Sequence, residues 1–146
     1  MAAESRAECV WEGNLVNGHG TTRVASGAFP PLAVSWTART ERPAPMTSPE
    51  ELLAAAHASC YCMALSHELT QKGTPPTRLS ATAVVTIDRI DGQMTVTTSK
   101  LSIRGTVPGQ NNDGFREAAD AAAKGCPVSR ALAGVKTSLD VVTLES

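Results

Sequence analysis

The spacing of hydrophobic and polar positions changes several times along the chain, and each change predicts a new element. Alternation of apolar and polar residues predicts strands, because successive strand side chains point to opposite faces. The alternating segments are residues 7–15, 20–26, 32–40, 79–88, 93–108 and 137–144. Helical patterns occupy residues 47–73, 115–124 and 126–132. The predicted order is three strands, a long helix, two strands, two helices and a strand, an α+β fold with antiparallel sheets.

Turn residues connect the predicted strands. Residues 17–20 contain two glycines between the first two strands, which indicates a hairpin. Asp91 and Gly92 form a second hairpin signal. The apolar positions change parity between Val96 and Leu101, so we expect a bulge or bend near residues 98–100.

The stretch 47–73 is the most strongly marked helix of the chain. Ser48 precedes Pro49, and Glu51 follows Ser48 by three positions, which is a capping box with proline at the first helical position. Gly73 supplies a stop signal at the other end. From residue 52 to residue 65 few side chains are polar. A helix this apolar around its circumference is expected to be buried in a protein interior or an interface.

Composition narrows the classes of protein. The 146 residues predict one domain, residues 1–146, with a formal net charge of −1 from 13 basic and 14 acidic side chains. The absence of a Lys/Arg run argues against nucleic acid as a partner. The first residues lack a hydrophobic signal core, and the apolar run of the long helix is too short to span a bilayer, so a cytoplasmic protein with reduced cysteines is expected. Aromatic residues are only 3%, and such a thin core makes a shared dimer core plausible.

Four cysteines are the main candidates for chemistry. Cys60 lies in the middle of the apolar helix, where a free thiol often serves only as a small packing group. Cys126 precedes Pro127 and is placed to cap the last short helix, whose N–H groups favour a thiolate. Helix ends alone would therefore make Cys126 the reactive thiol and Cys60 its buried partner. Cys9 and Cys62 are interpreted as packing residues.

Other polar residues suggest weaker hypotheses. His57, Cys60 and His67 share a helix face, but the latter two are about 10 Å apart along the axis, too far for one zinc ion. We therefore predict no metal site. Arg39 and Glu50 flank the loop before the long helix, and an arginine beside a cysteine would lower the thiol pKa.

Several short segments together resemble the OsmC/Ohr family of hydroperoxide-reducing proteins, and its OsmC branch in particular. The resemblance covers nearly the whole chain and rests on residues 11–13, 48–52, 55–60, 63–65, 107–109 and 124–129. It implies a thiol-dependent peroxidase that prefers organic hydroperoxides to H₂O₂ and serves in oxidative or osmotic stress defence.

The resemblance also implies the role of each site residue and reverses the ranking from helix ends. Cys60 would be the peroxidatic cysteine and Cys126 the resolving one, joined in a disulfide after reaction. Arg39 would activate the Cys60 thiolate, and Glu50 would orient Arg39. Arg42 is a rival for the activating arginine, because the loop around it departs from the family pattern.

The family resemblance further implies an intertwined homodimer around the buried helix, with no metal or other cofactor. The reductant would be an external dithiol, such as dihydrolipoyl groups on proteins. Glu50 and Cys60 are about 15 Å apart along a continuous helix, so either the helix breaks or Glu50 acts across a two-fold interface. Two alternatives stay open: a non-catalytic dimeric stress protein that binds small apolar molecules, and a disulfide-exchange enzyme without peroxide specificity. No nucleic acid or membrane partner is expected.

Overall fold

The computed structural model describes residues 1–146, which form six strands and four helices. The elements are β1 Ala7–Glu12, β2 His19–Val24, β3 Leu32–Val34, α1 Trp36–Thr40, α2 Pro49–Gln71, β4 Arg78–Ile90, β5 Gln93–Thr106, α3 Asn112–Gly125, α4 Pro127–Ala131 and β6 Lys136–Glu145. The predicted α+β class is confirmed. The chain divides into two compact units, residues 1–52 and 53–146, which are described separately below.

The first unit contains an antiparallel sheet in the order β1-β2-β3. The predicted hairpin of β1 and β2 is confirmed. The predicted strand over residues 32–40 is wrong beyond Val34, because residues 36–40 form the short helix α1. Ser35 caps this helix: its hydroxyl accepts a hydrogen bond of 3.0 Å from the Ala38 N–H. A local cap thus overrides an alternating pattern that is typical of strands.

Helix α2 begins and ends where the local signals predict. The Glu51 N–H donates to the Ser48 hydroxyl at 3.2 Å, and the Glu51 carboxylate accepts a bond of 2.6 Å from Thr47. At the other end Gly73 has a φ of +80°, and the Thr74 N–H donates to the Leu69 carbonyl at 3.0 Å. The helix is unbroken between these ends. No helix of the chain combines the length and the apolar character that crossing a bilayer requires.

The second unit contains a sheet in the order β4-β5-β6. The predicted hairpin of β4 and β5 is confirmed, and Asp91 and Gly92 both have positive φ, 49° and 82°. The predicted irregularity is also confirmed: the register shifts next to Thr86, where Thr97 is the extra residue of β5. This bulge lies one residue before the predicted range.

Strand β6 pairs with β5 in parallel, which corrects the prediction of purely antiparallel sheets. The two helices α3 and α4 lie between these strands in the chain. A connection of this length lets the chain return to the other end of the sheet before the next strand begins, whereas a tight turn would force an antiparallel pair.

The core of the second unit forms around one stripe of α2. His57, Tyr61, Leu65 and Leu69 recur every four residues and are fully buried. Core residues on the strands and on α3 and α4 are Leu101, Ile103, Val107, Phe115, Ala118, Ala119, Ala122 and Cys126. On another face of α2, Met63 is 74% exposed. Within one chain, therefore, α2 buries a single stripe and not the whole circumference that its composition predicts.

Candidate functional site: a thiol pair beside a buried histidine

The second unit brings two cysteines that are distant in sequence into contact. Cys60 is in the middle of α2, and Cys126 precedes α4. Both are free thiols, and the two side chains are close enough that each shifts the pKa of the other. Cys126 is fully buried, whereas Cys60 is only partly covered. The two cysteines that the family resemblance pairs are therefore neighbours in space.

Cys126 lies at a junction of two helices. Its N–H donates to the Ala122 carbonyl at 2.8 Å and ends α3, and the same residue is the N-cap of α4, with Pro127 next. Burial opposes ionisation of this thiol, but the Ser129 N–H and hydroxyl, the Cys60 thiol and the Val128 N–H together lower the pKa of Cys126. Cys126 is thus the thiol whose surroundings favour the charged form.

Cys60 has the opposite electrostatics within one chain. Burial raises the pKa of Cys60, and Cys126 raises it further, while the Val128 N–H acts in the other direction. The groups that shift this thiol are dipoles and the neighbouring thiol, and none of them carries a positive charge. The difference between the two sulfurs agrees with the ranking from helix ends, and no positively charged group of the second unit shifts the pKa of Cys60.

His57 lies fully buried next to this pair in the fold. Its Nδ1 is 2.7 Å from the Ser99 hydroxyl, and its Nε2 is 2.8 Å from the Ser129 hydroxyl. Burial lowers the pKa of His57, so the ring is neutral near pH 7. Both ring nitrogens are therefore occupied by hydroxyl groups. No group of three or more His, Cys, Asp and Glu side chains is arranged to hold a metal ion.

Sequence reasoning missed the roles of the two serines. Ser99 and Ser129 are separated from His57 by 42 and 72 positions. Ser129 belongs to the motif around Cys126, which was the only available signal. Ser99 stands in a strand rich in Ser and Thr, where nothing distinguishes it from its neighbours.

The first unit holds the predicted ion pair. Arg39 Nε donates to Glu50 Oε1 at 2.9 Å, and its Nη2 is 2.8 Å from the same oxygen. The Glu50 side chain is only 2% exposed, and its second oxygen, Oε2, is buried without a hydrogen-bond partner. The guanidinium carbon of Arg39 is 5.9 Å from the centre of the Trp36 ring. Of the two rival arginines, Arg39 is the one that contacts Glu50, and Arg42 is exposed.

The other two cysteines lie in different surroundings. Cys9 is exposed on β1. Cys62 is partly covered, and burial raises its pKa. It lines a cavity of about 600 Å³ between α2 and the start of β4, together with Met63 and His67, and Cys60 is not among the lining residues.

Comparisons with known proteins place this arrangement in a family. The family model described as OsmC-like protein matches residues 42–140. The chain is 36% identical to Peroxiredoxin OsmC of Escherichia coli over 132 residues, which cover 90% of this chain and 92% of that protein. The same figures hold for Peroxiredoxin OsmC of Shigella flexneri. The chain therefore belongs to the OsmC-like protein family, as the sequence resemblance indicated.

Solved structures agree on the fold. The organic hydroperoxide resistance protein OhrB of Bacillus subtilis superposes with a TM-score of 0.73 at 21% identity, covering 94% of this chain and 98% of that one. An organic hydroperoxide resistance protein from Elizabethkingia anophelis gives 0.75 at 20% identity, covering 100% and 99%. At these identities the likeness concerns the fold alone.

Proposed function

We propose that the protein is a thiol-dependent peroxidase that reduces organic hydroperoxides to alcohols and acts less well on H₂O₂. The observation that carries this proposal is the contact between Cys60 and Cys126 inside the second unit. The names of its relatives, peroxiredoxin and organic hydroperoxide resistance protein, support a peroxidase-like role.

The proposed reaction needs only sulfur chemistry. The Cys60 thiolate attacks the terminal peroxide oxygen, the O–O bond breaks, and the alkoxide leaves as an alcohol after taking a proton. Cys60 is then a sulfenic acid. The Cys126 thiolate attacks this sulfur, a disulfide forms, and the hydroxyl leaves as water. The lowered pKa of Cys126 suits this second step, because a thiolate is the nucleophile.

The disulfide must be reduced before the next cycle. We propose an external dithiol, such as a dihydrolipoyl group on a protein, which opens the disulfide by two successive exchange steps. One thiolate of the reductant forms a mixed disulfide, and its second thiolate releases the protein as the dithiol. In this scheme neither a metal nor an organic cofactor takes part.

We further propose that the active form is a homodimer in which each site uses residues of both chains. Three observations support this. Met63 leaves an apolar side chain of α2 exposed, Glu50 Oε2 is buried without a partner, and no cation shifts the pKa of Cys60 within one chain. Arg39, held by Glu50 of one chain, would supply that cation to Cys60 of the other.

Subunit mixing tests the shared site. Alone, Cys60→Ser chains are expected to be inactive and Glu50→Ala chains to be strongly impaired near neutral pH. In a mixed dimer with shared sites, one site carries both changes and the other carries neither, so activity returns to at most about half of the wild-type value. Mass spectrometry of differently tagged chains confirms exchange. Complete exchange without any return of activity would refute the shared site.

Thiol titration tests the function itself. One equivalent of cumene hydroperoxide should consume two thiols per chain, with Cys60 and Cys126 linked in the peptide map. H₂O₂ should act more slowly at the same concentration. A Cys9→Ser chain is the matched control and should behave like the wild type. If the protein binds cumene hydroperoxide but its thiols stay unchanged, the non-catalytic alternative is favoured. Disulfide exchange without peroxide consumption would favour the exchange enzyme.

A further inference from the structure

His57 is a fully buried titratable group near the thiols, and the proposed reaction gives it no role. The ring is fully buried, and so is the Ser99 hydroxyl that it contacts. On the other side of the ring, the Ser129 hydroxyl contacts Nε2, and Ser129 also lowers the pKa of the Cys126 thiol. Ser99, His57, Ser129 and Cys126 therefore form one series of neighbouring polar groups.

The geometry around Cys126 explains how Ser129 reaches the sulfur. Cys126 is the N-cap of α4, and Ser129 is the third helical residue. Residues three positions apart in a helix are neighbours on the same face. The Ser129 hydroxyl is thus placed between the imidazole of His57 and the thiol of Cys126.

The direction of each hydrogen bond follows from Ser99. The hydroxyl of Ser99 has His57 Nδ1 as its hydrogen-bond partner in the structure. A buried hydroxyl hydrogen without an acceptor is costly, so Ser99 donates to Nδ1. A neutral imidazole has one N–H and one acceptor, and the hydrogen is therefore on Nε2. That N–H donates to the Ser129 oxygen, which leaves the single hydrogen of Ser129 free for Cys126.

We infer that His57 is a positioning residue for Cys126: its Nε2–H holds the Ser129 oxygen so that the Ser129 hydroxyl hydrogen points at the Cys126 sulfur. Ser99 selects the tautomer that makes this possible. The series is built to favour a thiolate at Cys126. Its consequence for resolution of the Cys60 sulfenic acid depends on the proposed function, whereas its effect on the acidity of Cys126 does not.

The first test measures that acidity directly. In a chain that carries Cys9→Ser, Cys60→Ser and Cys62→Ser, Cys126 is the one remaining thiol. Thiolate absorbance at 240 nm then reports the ionisation of Cys126. Ser129→Ala should cost about tenfold in thiolate stability and raise the midpoint by about one pH unit. Ser99→Ala, which removes the donor that fixes the tautomer, should produce a smaller shift in the same direction.

Histidine variants separate positioning from packing. His57→Leu should shift the titration as Ser129→Ala does, whereas His57→Gln keeps an amide donor and should recover part of the shift. His67→Leu, an exposed histidine on the same helix, is the control and should change nothing. If His57→Leu fails to fold by circular dichroism, the two serine variants decide. A Ser129→Ala titration that matches the parent would overturn the inference.

The second test uses the midpoint potential of the Cys60–Cys126 disulfide in chains that keep both cysteines. A less stable Cys126 thiolate weakens the reduced form, so Ser129→Ala should have the more negative potential. A tenfold effect corresponds to about 30 mV. The difference should be present above the pKa of Cys126 and disappear at low pH, where both chains hold the thiol. A difference independent of pH would indicate altered packing and contradict the inference.

The two proposals can fail separately. A chain that shows these shifts but does not consume hydroperoxide retains the positioning role and loses the peroxidase function. A chain that reduces hydroperoxide normally, with titration and potential unchanged in Ser129→Ala, retains the function and loses the positioning role.

Discussion

The region around Cys60 and Cys126, the thiol region, and the region around Arg39 and Glu50, the ion-pair region, differ in whether their side chains carry formal charges. Around Cys60 and Cys126, the neighbouring groups are neutral: amide N–H groups, serine hydroxyls and a buried histidine. Around Glu50, a carboxylate with 2% exposure is held by the guanidinium of Arg39. The groups that act on the two sulfurs carry no formal charge, whereas the Arg39–Glu50 pair consists of two charged side chains.

This difference teaches what dipoles achieve and where a full charge is needed. N–H and hydroxyl dipoles, together with the Cys60 thiol, lower the pKa of Cys126 even though that thiol is fully buried. They are not enough for Cys60, whose pKa is raised. A peroxidatic cysteine must react as a thiolate. Under the proposed function, the positive charge that acts on Cys60 comes from the ion-pair region of the other chain of the dimer.

The largest expected effect comes from removing the reactive sulfur. Cys60→Ser should lower hydroperoxide turnover by at least about 1,000-fold, since a serine hydroxyl is a weak nucleophile at its own pKa and forms no sulfenic acid. Turnover is followed by consumption of cumene hydroperoxide with a dithiol present. Cys62→Ser, on the same helix, is the control. Full activity in Cys60→Ser would move the reactive role to Cys126, the more acidic thiol.

Removing Cys126 should separate the two halves of the reaction. Cys126→Ser is expected to complete one turnover and then stall, with Cys60 as a sulfenic acid that excess peroxide oxidises further. Mass spectrometry of the peptide containing Cys60 should find one, two or three added oxygens. An intact disulfide yield would identify Cys62 or Cys9 as the resolving thiol.

Removing Arg39 tests whether its positive charge promotes ionisation of the Cys60 thiol. Arg39→Met should reduce activity near neutral pH by about 10- to 1,000-fold, because a nearby arginine lowers the pKa of an acidic group by about one to three units. The loss should shrink as the pH rises, since Cys60 then ionises without help. Arg42→Met is the matched control.

The same variant has a predicted effect on stability. Arg39→Met leaves the buried Glu50 carboxylate unpaired. The free energy of unfolding should fall by about 2–3 kcal/mol in denaturant titrations, less than the roughly 3–5 kcal/mol for a fully buried pair, because the Arg39 side chain is 29% exposed. Arg42→Met should stay within about 0.5 kcal/mol of the wild type, as exposed substitutions do. Equal effects of both variants would mean that the Arg39–Glu50 pair has no special role.

The smallest predicted effect tests the thiol region as a packed structure. The Tyr61 hydroxyl donates to the Ala119 carbonyl at 2.9 Å in the core. Tyr61→Phe should lower the free energy of unfolding by about 1 kcal/mol and leave the thiol reactions unchanged. A large loss of peroxidase activity at full stability would instead give Tyr61 a part in the chemistry.

Local signals were sufficient for several parts of the fold. The start of α2 at Ser48 and Pro49 and the turn at Asp91 and Gly92 agree with prediction. The third strand failed beyond Val34, although the cap at Ser35 that begins α1 is itself a local signal. At this position the helix cap outweighs the alternating pattern of the side chains.

Some features of the fold and the site follow from the local sequence, and others depend on tertiary packing. The position of Cys126 at a helix start and the capping of α2 involve residues at most five apart, so the sequence by itself determined them. The parallel pairing of β6, the single buried stripe of α2 and the contacts of His57 with Ser99 and Ser129 were decided only by the tertiary structure. Their physical reason is that buried polar atoms and apolar faces take partners from whichever strand or helix packs against them, and no local pattern names that partner.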